Sequence, residues 1–465
     1  MTTTTTKSFA VKNVACVNEG KAGVPILTGI GYFDHMIDQW NSHAQVGVGL
    51  EVFGATSASG TATSDESKTP SGADEHDETN RNQFASENQV ELCTAVGKEL
   101  GLALRKVLAS TKGASPDRSR FCCPLDEALV ECLISSSDNN SDAGEEVKDG
   151  DSYGNLAKYR LAPYGIYPRN VGRTNIGKLE TVAIESFWKA LAESAGISIT
   201  LEKIRGDNAH HIVESSFKAF SRALRVYLDP PCIWDQQSPN DLAGVALKRE
   251  GKIERTTKET SISVHLLLDG SGGDTKVETG TPFLDEFYTV LAREACMTLK
   301  IECNGDLWVD DHHTAEDVSI AIGQCLTQAL GNKAGLNRMW LSEASSQGGA
   351  SVEVTMDLSN RPYFGHNLHE TLGRQEYVDH CDGGTAEVDN SALLSCEMLE
   401  HCLDSLVMNS RMTVHIVEKD ASEASSVADV ALCTATAFGR ALRGCAMVDQ
   451  RRAGTTASSK GTLSV

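Results

Sequence analysis

The residues best suited to chemistry are two copies of one short pattern. His210, His211 and Glu214 form a His-His-x-x-Glu run, and His312, His313 and Glu316 form a second. Residues four apart on a helix share a face, so His210 with Glu214, and His312 with Glu316, can chelate one metal ion. The adjacent His211 and His313 point about 100° away around the helix and must address a different ion or a different subunit. Imidazole with carboxylate suits Mn, Fe or Zn and not Ca or Mg. One histidine pair ahead of a helix is as readily a solvated or capping feature; two related pairs in one chain point to metal. His35, Gln39 and His43 are spaced four apart and are expected near one helical face. His401 stands in Glu397-Met-Leu-Glu-His401. Taken singly, either feature is more often an ordinary helix surface.

The elements that must carry these residues show in the periodicity. Phe217, Phe220 and Leu224 follow the first pattern, and Ile320, Ile322, Cys325, Leu326 and Leu330 follow the second. Three- and four-residue apolar spacing predicts amphipathic helices. Ile197–Leu201, Leu299–Cys303 and Ser351–Thr355 alternate and predict half-buried strands. Strands alternating with helices give a layered α/β (α+β) class with helices on one sheet face.

The chain also repeats itself. Phe217-Lys-Ala-Phe-Ser-Arg-Ala-Leu-Arg225 matches Ala435-Thr-Ala-Phe-Gly-Arg-Ala-Leu-Arg443, and Gly31–Gln39 parallels Thr281–Thr289. Two domains are expected, 8–229 and 251–465, joined by a proline-bearing linker over 230–250. Low-complexity insertions are expected at 54–83 and 135–154 within the first. At 465 residues, the formal charge of −22 disfavours nucleic-acid binding as the main task, since that would need a basic face. No apolar run is long enough to span a bilayer, and the threonine-rich start has no secretory core. The 14 cysteines form no CxxC pair and read as reduced, buried thiols of a cytoplasmic compartment. A plastid is the alternative if a transit peptide has been removed.

Together these segments resemble the imidazoleglycerol-phosphate dehydratase family. The resemblance rests on Phe33-Asp-His-Met36 with Gln39, Asp207-Asn-Ala-His-His-Ile-Val-Glu214, Asp311-His-His-Thr-Ala-Glu-Asp317 and Glu400-His401. It rests further on Asp357-Leu-Ser-Asn-Arg-Pro-Tyr363 and Ser458-Ser-Lys-Gly461. It implies a ribosomal protein S5 domain 2-like fold, in which each tandem domain is an internally duplicated sheet-plus-helices unit. It also implies two Mn²⁺ ions per site, a small phosphate ester as substrate, and sites built between neighbouring subunits. A large homo-oligomer, on the order of twelve two-domain chains, follows by analogy.

The departures from the family pattern are complementary. The first copy keeps His35, Gln39, His43, His210, His211, Glu214 and Lys218, but has Ser86–Glu91 where a double-histidine motif belongs. Ser186 stands there in place of the Glu-His-Phe histidine, and Ser238–Asp241 in place of Ser-Ser-Lys-Gly. The second copy has Glu286, Val290 and Glu294 at the positions of His35, Gln39 and His43, and Ala428-Asp429 at its late motif. It keeps Glu259, His312, His313, Glu316, Arg338, Arg361, His401, Ser459 and Lys460. The survivors sum to one set. The resemblance makes His35, His210, His211, Glu214, His312, His313, Glu316 and His401 metal ligands. It gives catalytic roles to Glu259, His43, His211 and His313. The phosphate falls to Gln39, Lys218, Arg338, Arg361, Ser459 and Lys460, because forked arginine donors fit its oxygens. The expectation is one dehydratase site per chain, shared between copies. The alternative is a non-catalytic metal-binding scaffold of the same descent.

Overall fold

The computed structural model describes residues 9–54, 88–111, 117–136, 156–167, 172–229, 249–270, 273–374, 377–378, 393–420, 426–458 and 463. The expected insertions, most of the expected linker, and Ser459 and Lys460 lie outside them.

One plan of strands and helices recurs along the chain. In the first copy it comprises β1 (Phe9–Val17), β2 (Ile26–Leu27), α1 (Gly31–Gln39), β3 (Gly47–Gly54) and α2 (Gln89–Ser110). It returns as β4 (Arg118–Leu125), β5 (Ala128–Ser136), β6 (Ala157–Arg160), a small ribbon of β7 (Asn175–Ile176) and β8 (Leu179–Glu180), α3 (Thr181–Ala195), β9 (Ile197–Arg205) and α4 (Ala209–Leu228). The second copy begins β10 (Glu250–Thr256), β11 (Thr260–Leu267), β12 (Lys276–Glu278), α5 (Pro282–Glu294), β13 (Thr298–Gly305) and α6 (His312–Leu330). It ends β14 (Met339–Ser345), β15 (Ser351–Asp357), β16 (Tyr363–His366), α7 (Cys396–Ser410), β17 (Thr413–Asp420) and α8 (Val427–Ala446).

The sheets run β1-β3-β2, β4-β5-β9-β6, β10-β11-β13-β12 and β14-β15-β17-β16. In each, the last two strands are parallel. A parallel pair needs a crossover, and α1, α3, α5 and α7 supply it. The helix after the crossover strand (α2, α4, α6 or α8) is the one whose start carries, or once carried, a double histidine. The result is a mixed α/β chain of two tandem domains, each internally duplicated.

Compactness divides the chain into 1–121 with 130–233, and 122–129 with 234–465. In the first unit Phe33, Phe187, Trp188, Phe217, Trp40 and Phe220 form a chain of ring contacts with centroids 4.6 to 5.6 Å apart. The predicted Phe217–Phe220–Leu224 stripe lies in this core. In the second unit, α5 packs Phe287 and Leu291 into the core that takes Ile322 and Leu326 of α6 and Phe438 of α8. Helices α5 and α8 approach so closely that a Cβ at Gly439 would lie 2.4 Å from the Leu291 carbonyl.

Strands β9 and β13 alternate in burial as their sequences predict. Strand β15 does not: it is buried on both faces from Val352 onward. Its apolar residues join the core, while Glu353, Thr355 and Asp357 are buried on the other side. Within the second unit, Cys122 Sγ lies 3.6 Å from Glu353 Oε1 and the Asp126 carbonyl accepts a 2.8 Å hydrogen bond from His415 Nε2. Polar alternation in β15 therefore marks a polar buried face and not solvent. The described cysteines form no disulfide with one another, and most are buried.

Candidate metal centre

At the start of α4, Asn208 is the N-cap and its side chain accepts from the His210 N–H at 2.9 Å. The next turns place His210 Nε2 3.1 Å from Glu214 Oε2 and Lys218 Nζ 2.7 Å from Glu214 Oε1. His35 on α1 brings its Nε2 to 4.0 Å from the same carboxylate. The Tyr32 hydroxyl donates to the His210 carbonyl at 3.0 Å, tying α1 to α4. Burial alone would raise the Glu214 pKa. The Lys218 ammonium, the hydrogen bonds from His210 and Lys218, and His35 outweigh it and hold the carboxyl well below the usual range. Burial, with Lys218 and His210, lowers the pKa of His35 against the pull of Glu214 and Asp38. His35 also opens onto a cleft of about 690 Å³ walled by Asp34, Asp38 and the loop 20–26.

His211 is half-buried, with its ring 6.0 Å from that of His210 and at 86° to it, so the two address different directions. Gln39 is fully buried and its amide donates to the His35 carbonyl at 3.1 Å. His43 lies in a π-helical turn, Trp40–Ala44, that succeeds α1, and is 1% exposed.

The second centre is built by α6 and α7. The Asp310 carboxylate accepts from the His312 N–H at 3.0 Å. Asp311 accepts from the Ser395 N–H and hydroxyl at 2.6 and 2.8 Å, fixing the start of α7 against the start of α6. Glu316 then stands between two rings: Oε2 is 3.5 Å from His312 Nε2 and Oε1 is 3.5 Å from His401 Nε2. One ligand atom from each residue lies within 4.8 Å of the others. His401 Nε2 is buried and makes no hydrogen bond. Such an orphaned nitrogen facing a carboxylate is what a bound cation would satisfy.

His313 turns away from His312 at 81° and takes a 3.0 Å hydrogen bond between its Nδ1 and Asp306 Oδ2. That bond, with Glu259 and the neighbouring aspartates against slight desolvation, raises its pKa. Glu259 itself is exposed, in the turn between β10 and β11, where its N–H donates to Thr257 Oγ1 at 3.1 Å. The flanks of that turn hold it to α6: Arg255 pairs with Asp317, and the Thr260 hydroxyl donates to Asp317 at 2.6 Å. A Cβ at Gly305 would lie 2.0 Å from Thr314 Oγ1, so β13 must end in glycine for α6 to start here.

The expected phosphate residues are already engaged. Arg338 is 4% exposed and grips Asp357 through Nε at 2.7 Å and a second nitrogen at 2.8 Å. Arg361, more open, lies 3.2 Å from Asp126. Lys218 and Gln39 are committed as described, and Ser459 and Lys460 lie outside the described residues.

The helix starts that lost histidines have other uses. Asn88 caps α2, accepting from the Glu91 N–H at 3.4 Å. Ser426 caps α8 with Asp429, at 3.0 and 2.8 Å. Glu294 pairs with Arg440 at 2.8 Å. A further group was not anticipated from sequence: His366, His369 and Glu400 also bring three ligand atoms within 4.8 Å of one another. The His-x-x-His spacing was legible; the glutamate, from α7, was not.

The imidazoleglycerol-phosphate dehydratase model matches residues 88–224 and again 279–442. The chain belongs to that family. It is 38% identical over 49% of its length to imidazoleglycerol-phosphate dehydratase 1, chloroplastic, of Arabidopsis thaliana, covering 76% of that protein. The chloroplastic enzyme of Pisum sativum is 39% identical over 46% of this chain and 69% of its own. The Gloeobacter violaceus enzyme is 36% identical over 45% of this chain and 95% of its own. Each relative thus spans about one copy, and the family segment is duplicated in tandem. Membership makes the chain a hydro-lyase. Among the described residues, no helix is long and apolar enough to cross a membrane.

Proposed function

We propose that the chain dehydrates D-erythro-imidazole-glycerol phosphate to imidazole-acetol phosphate in histidine biosynthesis, at one composite site per chain supplied by a first-copy and a second-copy domain. One observation carries this reading: of the four equivalent helix starts, α4 and α6 carry His-His-x-x-Glu and α2 and α8 do not. Independent decay of two copies would not leave complementary halves; preservation of one site would.

The donor set fits a manganese-class ion, because Glu316 bridges two imidazoles and one of them has an orphaned buried nitrogen. His312, Glu316 and His401 would hold one ion with His211 of the other copy, and His35, His210 and Glu214 would hold the second with His313. When bound, such ions lower the pKa of a coordinated imidazole, here the substrate ring. The chain's own groups do the rest. Glu259, on the His313 side of α6, moves the carbon-bound proton. His43, His211 and His313 orient the ring. Arg361 is the most open of the cationic groups toward a phosphate, with Arg338, Lys218, Gln39, Ser459 and Lys460 completing the set. The water that leaves carries the substrate hydroxyl and that proton.

The compartment is cytoplasmic in this reading, or plastidial as in the plant relatives' names, and the working form is a large homo-oligomer. The test is His211→Ala and His313→Ala in the full chain. Each alone should abolish dehydration and lower bound Mn²⁺ from about two ions per chain. An active single variant would mean that one copy suffices and that the composite site is wrong.

A further inference from the structure

Among the described residues outside those used above, one cluster of potential ligands is unexplained. His366 ends β16, and His369 opens a short helical turn, His369–Leu372. Their rings lie 4.4 Å apart at 52°. Glu400 reaches the same point from α7, its Oε1 3.1 Å from His366 Nε2. We propose that His366, His369 and Glu400 form an additional transition-metal site of the zinc type, distinct from the dehydratase centre.

The surroundings of His366 are fixed before any ion arrives. In the ion-free chain the Leu368 N–H donates to His366 Nδ1 at 3.2 Å, which leaves the ring proton on Nε2 facing Glu400. The Phe364 ring stacks on His366 at 5.0 Å and 21°. Asn367, between the two histidines, is laced to β17: its Oδ1 accepts from the Glu418 N–H at 2.8 Å. An ion pair between His366 and Glu400 would need no second imidazole. Two neutral imidazoles this close can share one cation through a ring nitrogen each. Two nitrogens and one carboxylate oxygen are a tetrahedral zinc set with its fourth position left for water, and a poor one for Mg²⁺ or Ca²⁺.

The site is separate by helix geometry. Glu400 and His401 are consecutive on α7 and so point about 100° apart. His401 faces Glu316 at 3.5 Å, and Glu400 faces His366. Asp404, one turn on from Glu400, feels both His401 and His366, and burial raises its pKa. A metal at His366 Nε2 requires the ring proton on Nδ1, so the Leu368 contact must open on binding.

The experiment uses the full chain loaded with Mn²⁺ and titrated with Zn²⁺, comparing wild type with His369→Ala and Glu400→Gln. His369 is exposed, so its replacement does not endanger the fold. Wild type should take up about one Zn²⁺ per chain beyond any that exchanges for Mn²⁺. Both variants should bind it at least tenfold more weakly, and His369→Ala should keep its Mn²⁺ content and its dehydration rate. Equal Zn²⁺ uptake by all three proteins would overturn the proposal, as would uptake only at the expense of Mn²⁺. Failure of the dehydratase reading would appear instead as activity surviving in the His211 or His313 variants.

Discussion

The starts of α4 and α6 carry one motif in two electrostatic settings. At α4, Glu214 is 12% exposed and neutralised by Lys218, one turn further along. At α6 the equivalent of Lys218 is Ile320, Glu316 is 34% exposed, and its carboxylate is shared between two histidines. The motif supplies ligands in both copies; the residue one turn on decides whether the carboxylate is already satisfied. Where a lysine sits, an ion must displace or share with an ammonium. Where none sits, the site is open. In the composite site proposed above, the two halves would therefore take up an ion differently.

The largest test of this contrast is Glu316→Gln. It removes the shared carboxylate and should reduce dehydration by about a thousandfold or more, the scale of losing a catalytic electrostatic group, with one ion lost per chain. Retained metal and rate would mean that Glu316 is a bystander. Mixing is the next test. Chains carrying His211→Ala and chains carrying His313→Ala, assembled together, should recover up to roughly a quarter of wild-type activity if the halves meet between chains, as expected for subunit interfaces of opposed patches. No recovery would place the whole site within one chain.

Third, Lys218→Met breaks a buried pair and should destabilise the first copy by about 3 kcal/mol, read as a lowered unfolding midpoint. Because the Glu214 pKa is depressed in the folded chain, its contribution is present above the unfolded carboxylate value, about 4.3, and is lost as pH falls below it. The wild type should therefore lose stability on acidification below about pH 4.3 more steeply than Lys218→Met; parallel acid profiles would remove Lys218 from the argument. The smallest effect is Asp306→Asn. The Asp306 hydrogen bond raises the pKa of His313, so its loss should lower that pKa in the metal-free chain, as followed by NMR titration. An unchanged titration would leave Glu259 and the other nearby charges as the cause.

The ligand half of the candidate site was legible because a helix turns a four-residue spacing into a shared face with little outside help. His210 with Glu214 and His312 with Glu316 needed only their own helices. His401 became convincing only when Asp311 and Ser395 brought α7 against α6. The π-turn that carries His43 leaves no mark in the residue types and was not legible. That Arg338 is buried and paired with Asp357 was not legible in the sequence. The same pairing explains the polar alternation of β15, which suggested solvent where the fold has a buried face.

By itself the sequence determined that two related copies exist, that each is strands alternating with helices, and that their ligands are complementary, because periodicity and residue identity are local properties. The tertiary structure alone decided which carboxylate is neutralised and which is open, which arginine is spent, and that a glutamate of α7 closes on two histidines near the end of β16. Those outcomes depend on distances between residues far apart in the chain, and no spacing along the sequence encodes them.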